Sequence, residues 1–214
     1  MDQKRNWEKG TSNPIPSNKY ERFKELLVEH SKKTSERDLM LFILGSATGY
    51  RMGDLVEVTI GQLKDALDEG ALVIQESKQY NMWLKALEKN PNKKKPAKRR
   101  ANIGNSLEGY LKRYVKGKKR SEYAFPSLTS KNSPISAKSY SDILKDVGKE
   151  IGLSHISGHS LRKTYATRIY ERSGGNLEQV RIALNHQSIE ETKRYLGIKN
   201  KMIDDASRIA DEDL

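Results

Sequence analysis

Four side chains in the last third of the sequence have types and spacings suited to phosphate chemistry. They are His159 and Arg162 in GHSLRKTYAT, His186 in ALNHQSI and Tyr195 in ETKRYLG. The chain has four histidines, and two of them fall in this set. Breaking a phosphodiester by in-line displacement needs a nucleophile, positive charge on the non-bridging oxygens and a proton for the departing oxygen. The rigid fork of a guanidinium matches phosphate oxygens in pairs. Residues three apart on a helix share a face, so His159 and Arg162 can converge on one phosphate. Arg51, just past an apolar run, supplies a second guanidinium. Lys78, placed at the end of the ALVIQES segment, is a candidate proton donor to the leaving oxygen. A tyrosine hydroxyl, with a pKa near ~10, becomes a nucleophile where cations favour the phenolate. The chain has no cysteine and no acid cluster accompanies the set, so neither a metal nor any other cofactor is expected. Taken singly, each residue has an ordinary explanation: a surface H-x-x-R pair, a half-buried core tyrosine, a histidine capping a helix. Only the set, in its order and spacing, specifies the chemistry.

These side chains need elements to hold them. Asn18 to Ser31 predicts a helix with Tyr20, Phe23, Leu26 and Leu27 on one stripe, and Asn18 with Glu21 has the form of a capping box. Ser35 and Asp38 begin a second helix, apolar nearly all round and therefore buried, which Thr48-Gly49 ends just before Arg51. Met52 to Val58 leads towards strands, of which residues 71–77 are the best candidate and 99–103 a plausible partner. Between them lies a Lys/Pro/Asn-rich insertion, loop-like around 89–98. Residues 105–115 predict a helix, 126–134 a connector, and the remainder helix after helix. These are 140–151 capped by Ser139 with Asp142, 159–172 closed by Gly174-Gly175, 177–184 capped by Asn176, and a helix containing Tyr195 capped by Ser188 with Glu191. The expected class is mainly α with a small antiparallel β-sheet (α+β). The expected organisation is a flexible leader over 1–16, one catalytic domain over 17–200 and an amphipathic, acid-tipped tail over 201–214.

Charge narrows the partner. Residues 78–120 carry fifteen Lys and Arg against two acids, a net of +13 that leaves the rest of the +12 chain at −1. A concentrated positive field attracts polyanions and releases counterions on binding nucleic acid. Lys93, Lys94, Lys95, Lys98, Arg99 and Arg100 in this stretch, with Lys163 beside Arg162, are the expected DNA-binding residues. The start lacks an apolar signal segment and no apolar run reaches the ~18 residues of a membrane span. A cysteine-free chain fits a reducing compartment, so the expected location is the cytoplasm, away from membranes.

ATGYRMGDL, GHSLRKTYATR and LNHQSIEETKRYLG resemble three boxes of the catalytic domain of the tyrosine recombinase (phage integrase) family. The first is similar to T-G-x-R-x-x-acid-Leu, the second to H-x-L-R with a downstream A-T. The third has His nine residues before Tyr, with T-x-x-Y preserved. The resemblance spans residues 18–200. It implies that Arg51, Lys78, His159, Arg162 and His186 activate a scissile DNA phosphate and that Tyr195 attacks it. The products are a 3′-phosphotyrosyl link and a free 5′-hydroxyl, and religation to another strand gives site-specific recombination. It also implies double-stranded DNA as partner and assembly of several copies, a tetrameric synapse, on that DNA. Asp54 stands where the family usually has Glu, and Asn185 where it usually has Gly. The long stretch between the strands leaves Lys85, Lys95 and Lys98 as alternatives to Lys78. Family members usually carry an N-terminal helical DNA-binding domain, and only a short leader precedes Asn18. The expected chain is an excised catalytic domain or a reduced member that grips DNA from one side. A regulator that keeps the fold and binds DNA without strand exchange is the alternative.

Overall fold

The computed structural model describes residues 12–211; most of the expected leader (1–11) and the last three residues of the tail lie outside the described residues. Helices α1 (Tyr20–Ser31) and α2 (Ser35–Thr48) form where their apolar spacing requires. Phe23, Leu26 and Leu27 of α1 are buried, and α2 is buried on almost every face. Phe23 stacks on Phe42 at 5.1 Å, joining the two helices at an aromatic pair. The expected Asn18 cap is absent, because residues 17–19 form a short 3₁₀ turn with no side-chain cap at either of its boundaries. Gly49 takes the left-handed conformation (φ 63°) that closes α2, a backbone state costly for a residue with a Cβ.

Residues expected to run from Met52 towards strands are helical instead. α3 (Met52–Val56) is followed by α4 (Ile60–Glu69), which begins with a full Thr59/Gln62 capping box. The pattern Ile60, Leu63, Ala66, all buried, has helical rather than strand period. Strand β1 (Ala71–Ile74) pairs antiparallel with β2 (Arg99–Asn102), Ala71 opposite Asn102 and Ile74 opposite Arg99. β1 is three residues shorter than expected. Helix α5 (Ser77–Leu87) starts right after it, within the stretch expected as an insertion. No residue of α5 is buried, which is why its sequence carries no strong apolar stripe.

α6 (Asn105–Val115) and α7 (Ala137–Glu150) complete the packing of the first unit. The cap of α7 is Ser136, whose hydroxyl accepts from Ser139 N–H, rather than Ser139 itself. Residues 12–16, expected as part of a flexible leader, are fixed: Asn13 N–H donates to His155 O, and buried Ile15 donates to the Thr164 hydroxyl.

Within the span expected as one catalytic domain, the chain forms two compact units, residues 1–164 and 165–214. The boundary falls within α8 (Gly158–Arg172). The second unit holds α9 (Leu177–Leu184), α10 (Ile189–Leu196) and α11 (Ile198–Asp211), with a small cluster of Ala166, Val180 and Leu184. Asn176 and Ser188 cap α9 and α10 as their sequence requires. Among the described residues no helix is long and apolar enough to cross a membrane.

Candidate active site

In the first unit the turn between α2 and α3 carries Arg51, and buried groups fix its course. Arg99 Nη2 donates to Thr48 O at 2.5 Å and its guanidinium lies over the Tyr50 ring at 4.3 Å. The Tyr50 hydroxyl bridges the carbonyls of Leu72 and Arg99 on the two strands. Arg99 is 5% exposed, so of the residues expected to bind DNA it is the one that the fold takes inside. β2 alternates buried and exposed positions, which turns Arg99 inward and leaves Arg100 outward.

Arg162, on α8, is 1% exposed and reaches that turn: its Nη1 donates to Gly49 O at 2.6 Å. The same nitrogen lies 3.1 Å from Oε1 of Glu76, and Arg51 Nη1 lies 2.7 Å from that oxygen. Two arginines far apart in sequence thus share one buried carboxylate oxygen. Sequence reasoning missed Glu76. It is the only acid in ALVIQES and precedes Ser77-Lys78, but nothing in spacing alone distinguishes it from a surface acid. Asp54, in the first box with Arg51, accepts from Ser77 N–H at 3.0 Å. It thereby caps α5 from a different element and fixes Glu76, Ser77 and Lys78 together.

The start of α8 is tied down at three points. Gly158 N–H donates to the Ser141 hydroxyl, His159 N–H to the Ser157 hydroxyl, and Ser157 N–H to the Ser160 hydroxyl. His159 is exposed, yet its pKa is lowered to about 4, first by desolvation and then by the charges of Arg162, Lys163, Arg51 and Lys78. Contact with water tempers that shift, but its direction leaves a neutral imidazole at pH 7. Lys163 itself is pushed down by desolvation. Lys78 lies on the first turn of α5 rather than at a strand end, and is exposed. Of the four lysines considered, it is the one whose charge acts on His159; Lys95 instead lies over the Tyr80 ring at 5.1 Å.

In the second unit His186 is buried, and its ring meets the Tyr195 ring edge-on at 5.2 Å. His186 Nδ1 lies 3.1 Å from the hydroxyl of Thr192, and that hydroxyl donates to Ser188 O. With its one proton given to Ser188 O, the hydroxyl is placed to accept from Nδ1–H. His186 N–H donates to Arg181 O, and Arg181 Nη1 donates back to His186 O, holding the residue in its turn. Asn185 reaches the left-handed conformation (φ 55°) that usually selects Gly, a state Asn tolerates.

The sequence matches the model of the Phage integrase family over residues 16–202. The chain belongs to the phage integrase family. It is similar to "Probable integrase/recombinase YoeC" of Bacillus subtilis (strain 168), at 34% identity over 86% of this chain and 89% of that protein. It is also similar to the tyrosine recombinase XerC of Staphylococcus epidermidis, at 27% identity over 88% of this chain and 60% of that protein. The chain thus spans most of one relative and under two thirds of the other. Among solved structures, XerH site-specific recombinase bound to a palindromic difH substrate superposes with a TM-score of 0.63 at 20% identity, covering 93% of this chain and 53% of that one. XerA recombinase superposes with a TM-score of 0.61 at 19% identity, covering 86% and 59%. At those identities the superpositions show the fold: a mainly helical recombinase catalytic domain with a small antiparallel sheet. The family membership makes the chain, by class, a DNA-cleaving and rejoining tyrosine recombinase, and the regulator reading is not favoured.

Proposed function

We propose that the chain carries out site-specific recombination of duplex DNA, with Arg51, Lys78, His159, Arg162 and His186 activating one phosphodiester and Tyr195 attacking it. The observation that carries this is the convergence of Arg51 and Arg162 on Glu76 Oε1, with Lys78 and a neutral His159 in the same electrostatic neighbourhood. Two guanidiniums placed together stabilise the charge that grows on the non-bridging oxygens in the transition state. The Tyr195 oxygen bonds to phosphorus, its proton passing to a neutral imidazole. The bond from phosphorus to the 5′-oxygen breaks, and that oxygen takes a proton from Lys78. A 3′-phosphotyrosyl link and a 5′-hydroxyl result. Attack by a 5′-hydroxyl from another strand reverses the steps and rejoins DNA. No metal or nucleotide is required, because the phosphotyrosyl bond conserves the energy of the bond it replaces.

The exposed basic residues of the α5–β2 segment, Lys93, Lys94, Lys95, Lys98 and Arg100, together with Lys163, hold the DNA backbone. Arg99 acts from inside the fold. Recombination joins two duplexes, so the working form is a homo-oligomer on DNA, a tetramer in the cytoplasm. Met202 and Ile209 of α11 are exposed, 66% and 61%, and the tail from 201 packs on a neighbouring copy. Truncation at Lys201 then weakens self-association on DNA; unchanged association overturns that point. The reaction is tested with nicked duplexes of randomised sequence, by selecting and sequencing protein–DNA adducts that survive denaturant. The wild-type chain forms such adducts, and Tyr195→Phe binds the selected duplexes without forming them. Adducts that persist in Tyr195→Phe would place the nucleophile elsewhere.

A further inference from the structure

Glu76 is buried at 1% exposure, and a single one of its oxygens accepts from both arginines. Its other oxygen, Oε2, is also buried and has no hydrogen-bond partner among the described residues. A carboxylate kept only for stability would be expected to satisfy both oxygens, since a buried unmet acceptor is costly. Arg51 is 23% exposed at its side chain and has no need of a buried partner, while Arg162 already donates to Gly49 O. For Arg162 the carboxylate offsets a buried charge, but its tie to the partly exposed Arg51 is not required by burial. What it does accomplish is geometric and electrostatic. Two guanidiniums side by side repel one another, and a shared anion offsets one charge and fixes both forks. The clamp takes one nitrogen of each fork, Nη1, so it does not consume the whole of either guanidinium. Glu76 is itself held in place, because the next residue, Ser77, is capped by Asp54 of α3.

We propose that Glu76 is a positioning residue for phosphate recognition, holding the guanidiniums of Arg51 and Arg162 in register so that both address one DNA phosphate. It acts through the arginines and does not touch DNA. This rests on the reaction proposed above.

The test uses the full chain and the selected nicked duplexes, and reads two quantities: the rate of adduct formation at saturating DNA, and the Kd for DNA. Glu76→Gln keeps the shape and loses the charge, and slows adduct formation on the order of 100-fold, the loss that a small misplacement of catalytic groups produces. Its Kd stays within about threefold of wild type, because the interaction matters chiefly in the transition state. Glu76→Asp keeps the charge on a shorter arm and recovers part of the rate. In an Arg51→Ala background Glu76→Gln has a much smaller effect, since one of the groups it positions is gone. Wild-type adduct rates in Glu76→Gln, an undiminished effect in Arg51→Ala, or Glu76→Asp no better than Glu76→Gln each overturn the proposal. Should Glu76→Gln fail to fold, Glu76→Asp carries the same cycle with Arg51→Ala, and additivity there overturns it equally. A wild-type chain that binds DNA and forms no adduct overturns the reaction and this role with it. Wild-type adducts matched by Glu76→Gln overturn Glu76 alone.

Discussion

Arg162 is a guanidinium placed almost entirely out of water, and its environment explains how the fold tolerates that. Gly49 O and Glu76 Oε1 both accept from its Nη1. Arg162→Ala removes the buried cation and leaves the Glu76 carboxylate with Arg51 as its remaining ionic partner. A buried pair broken on one side typically costs about 3 kcal/mol or more, so urea denaturation of this variant should show a loss of that size alongside abolished adduct formation. His159 behaves oppositely: its surroundings disfavour charge. Its pKa falls from the ordinary 6.5 to about 4 in the folded chain, so between those values the unfolded chain binds more protons. Its contribution to stability is present above pH 6.5 and is lost as the pH falls towards 4. Thermal melts across that window should therefore show His159→Asn losing less stability on acidification than the wild type. An identical acid loss in both would mean that His159 is not held neutral by the fold. On the proposed function a DNA phosphate beside the ring would move the pKa back up, so the same comparison made on the DNA complex should show a smaller difference.

At the scale of elements, α8 brings Arg162 to the α2–α3 turn, and its first residue decides how closely it can approach. A Cβ on Gly158 would stand 2.8 Å from both Cβ and Cγ of Met52 and 3.0 Å from the Ser141 hydroxyl. The Met52 Cβ is anchored to the backbone and cannot swing away. Gly158→Ala should therefore push the start of α8 off α3, at a cost of roughly 1–3 kcal/mol. It should also slow adduct formation, because His159 and Arg162 move with the helix. A variant with wild-type melting temperature and wild-type rate would show that the helix has room to shift. α5 works differently. It has no buried residue, and its place is set by the Asp54 cap at its start and by the lysine-rich loop folding back, with Trp83 Nε1 donating to Lys93 O. Its sequence was therefore open to being taken for loop, since a helix that packs little leaves little apolar periodicity to detect. α4 was missed for another reason. Its apolar positions do follow a helical period, but sequence reasoning took Met52 to Val58 as leading towards strands and assigned no element to 60–69.

At the scale of the molecule, the +13 stretch divides into two physical roles. Lys93, Lys94, Lys95 and Lys98 are exposed, while Arg99 is inside, stacked on Tyr50 and bonded to the end of α2. Replacing Lys93, Lys94 and Lys95 with Ala should lower DNA affinity and reduce the slope of log K against log salt by up to about 3, near one for each phosphate no longer neutralised. Arg99→Ala should instead lower the melting temperature, through loss of a buried cation and of the turn that carries Arg51. The salt titration and the melt together separate the two. If Arg99→Ala reduced the salt slope and left the melt unchanged, Arg99 would belong to the DNA surface after all.

The sequence alone determined the family, the class of fold and six candidate residues, because H-x-x-R, the His–Tyr interval and the T-G-x-R box are local patterns tied to chemistry. Helices with a buried stripe, such as α1, α2 and α6, were legible for the same reason: burial imposes a period that residues carry in their order. Tertiary structure decided what depends on pairing across the chain. It turned Arg99 inward through strand alternation, put Lys78 on a helix, anchored residues 12–16 and gathered the chain into two units. Above all it placed Glu76 between Arg51 and Arg162. A carboxylate that serves two arginines from other elements leaves no periodic trace in its own neighbourhood, since what selects it is proximity in space and not a position along the chain.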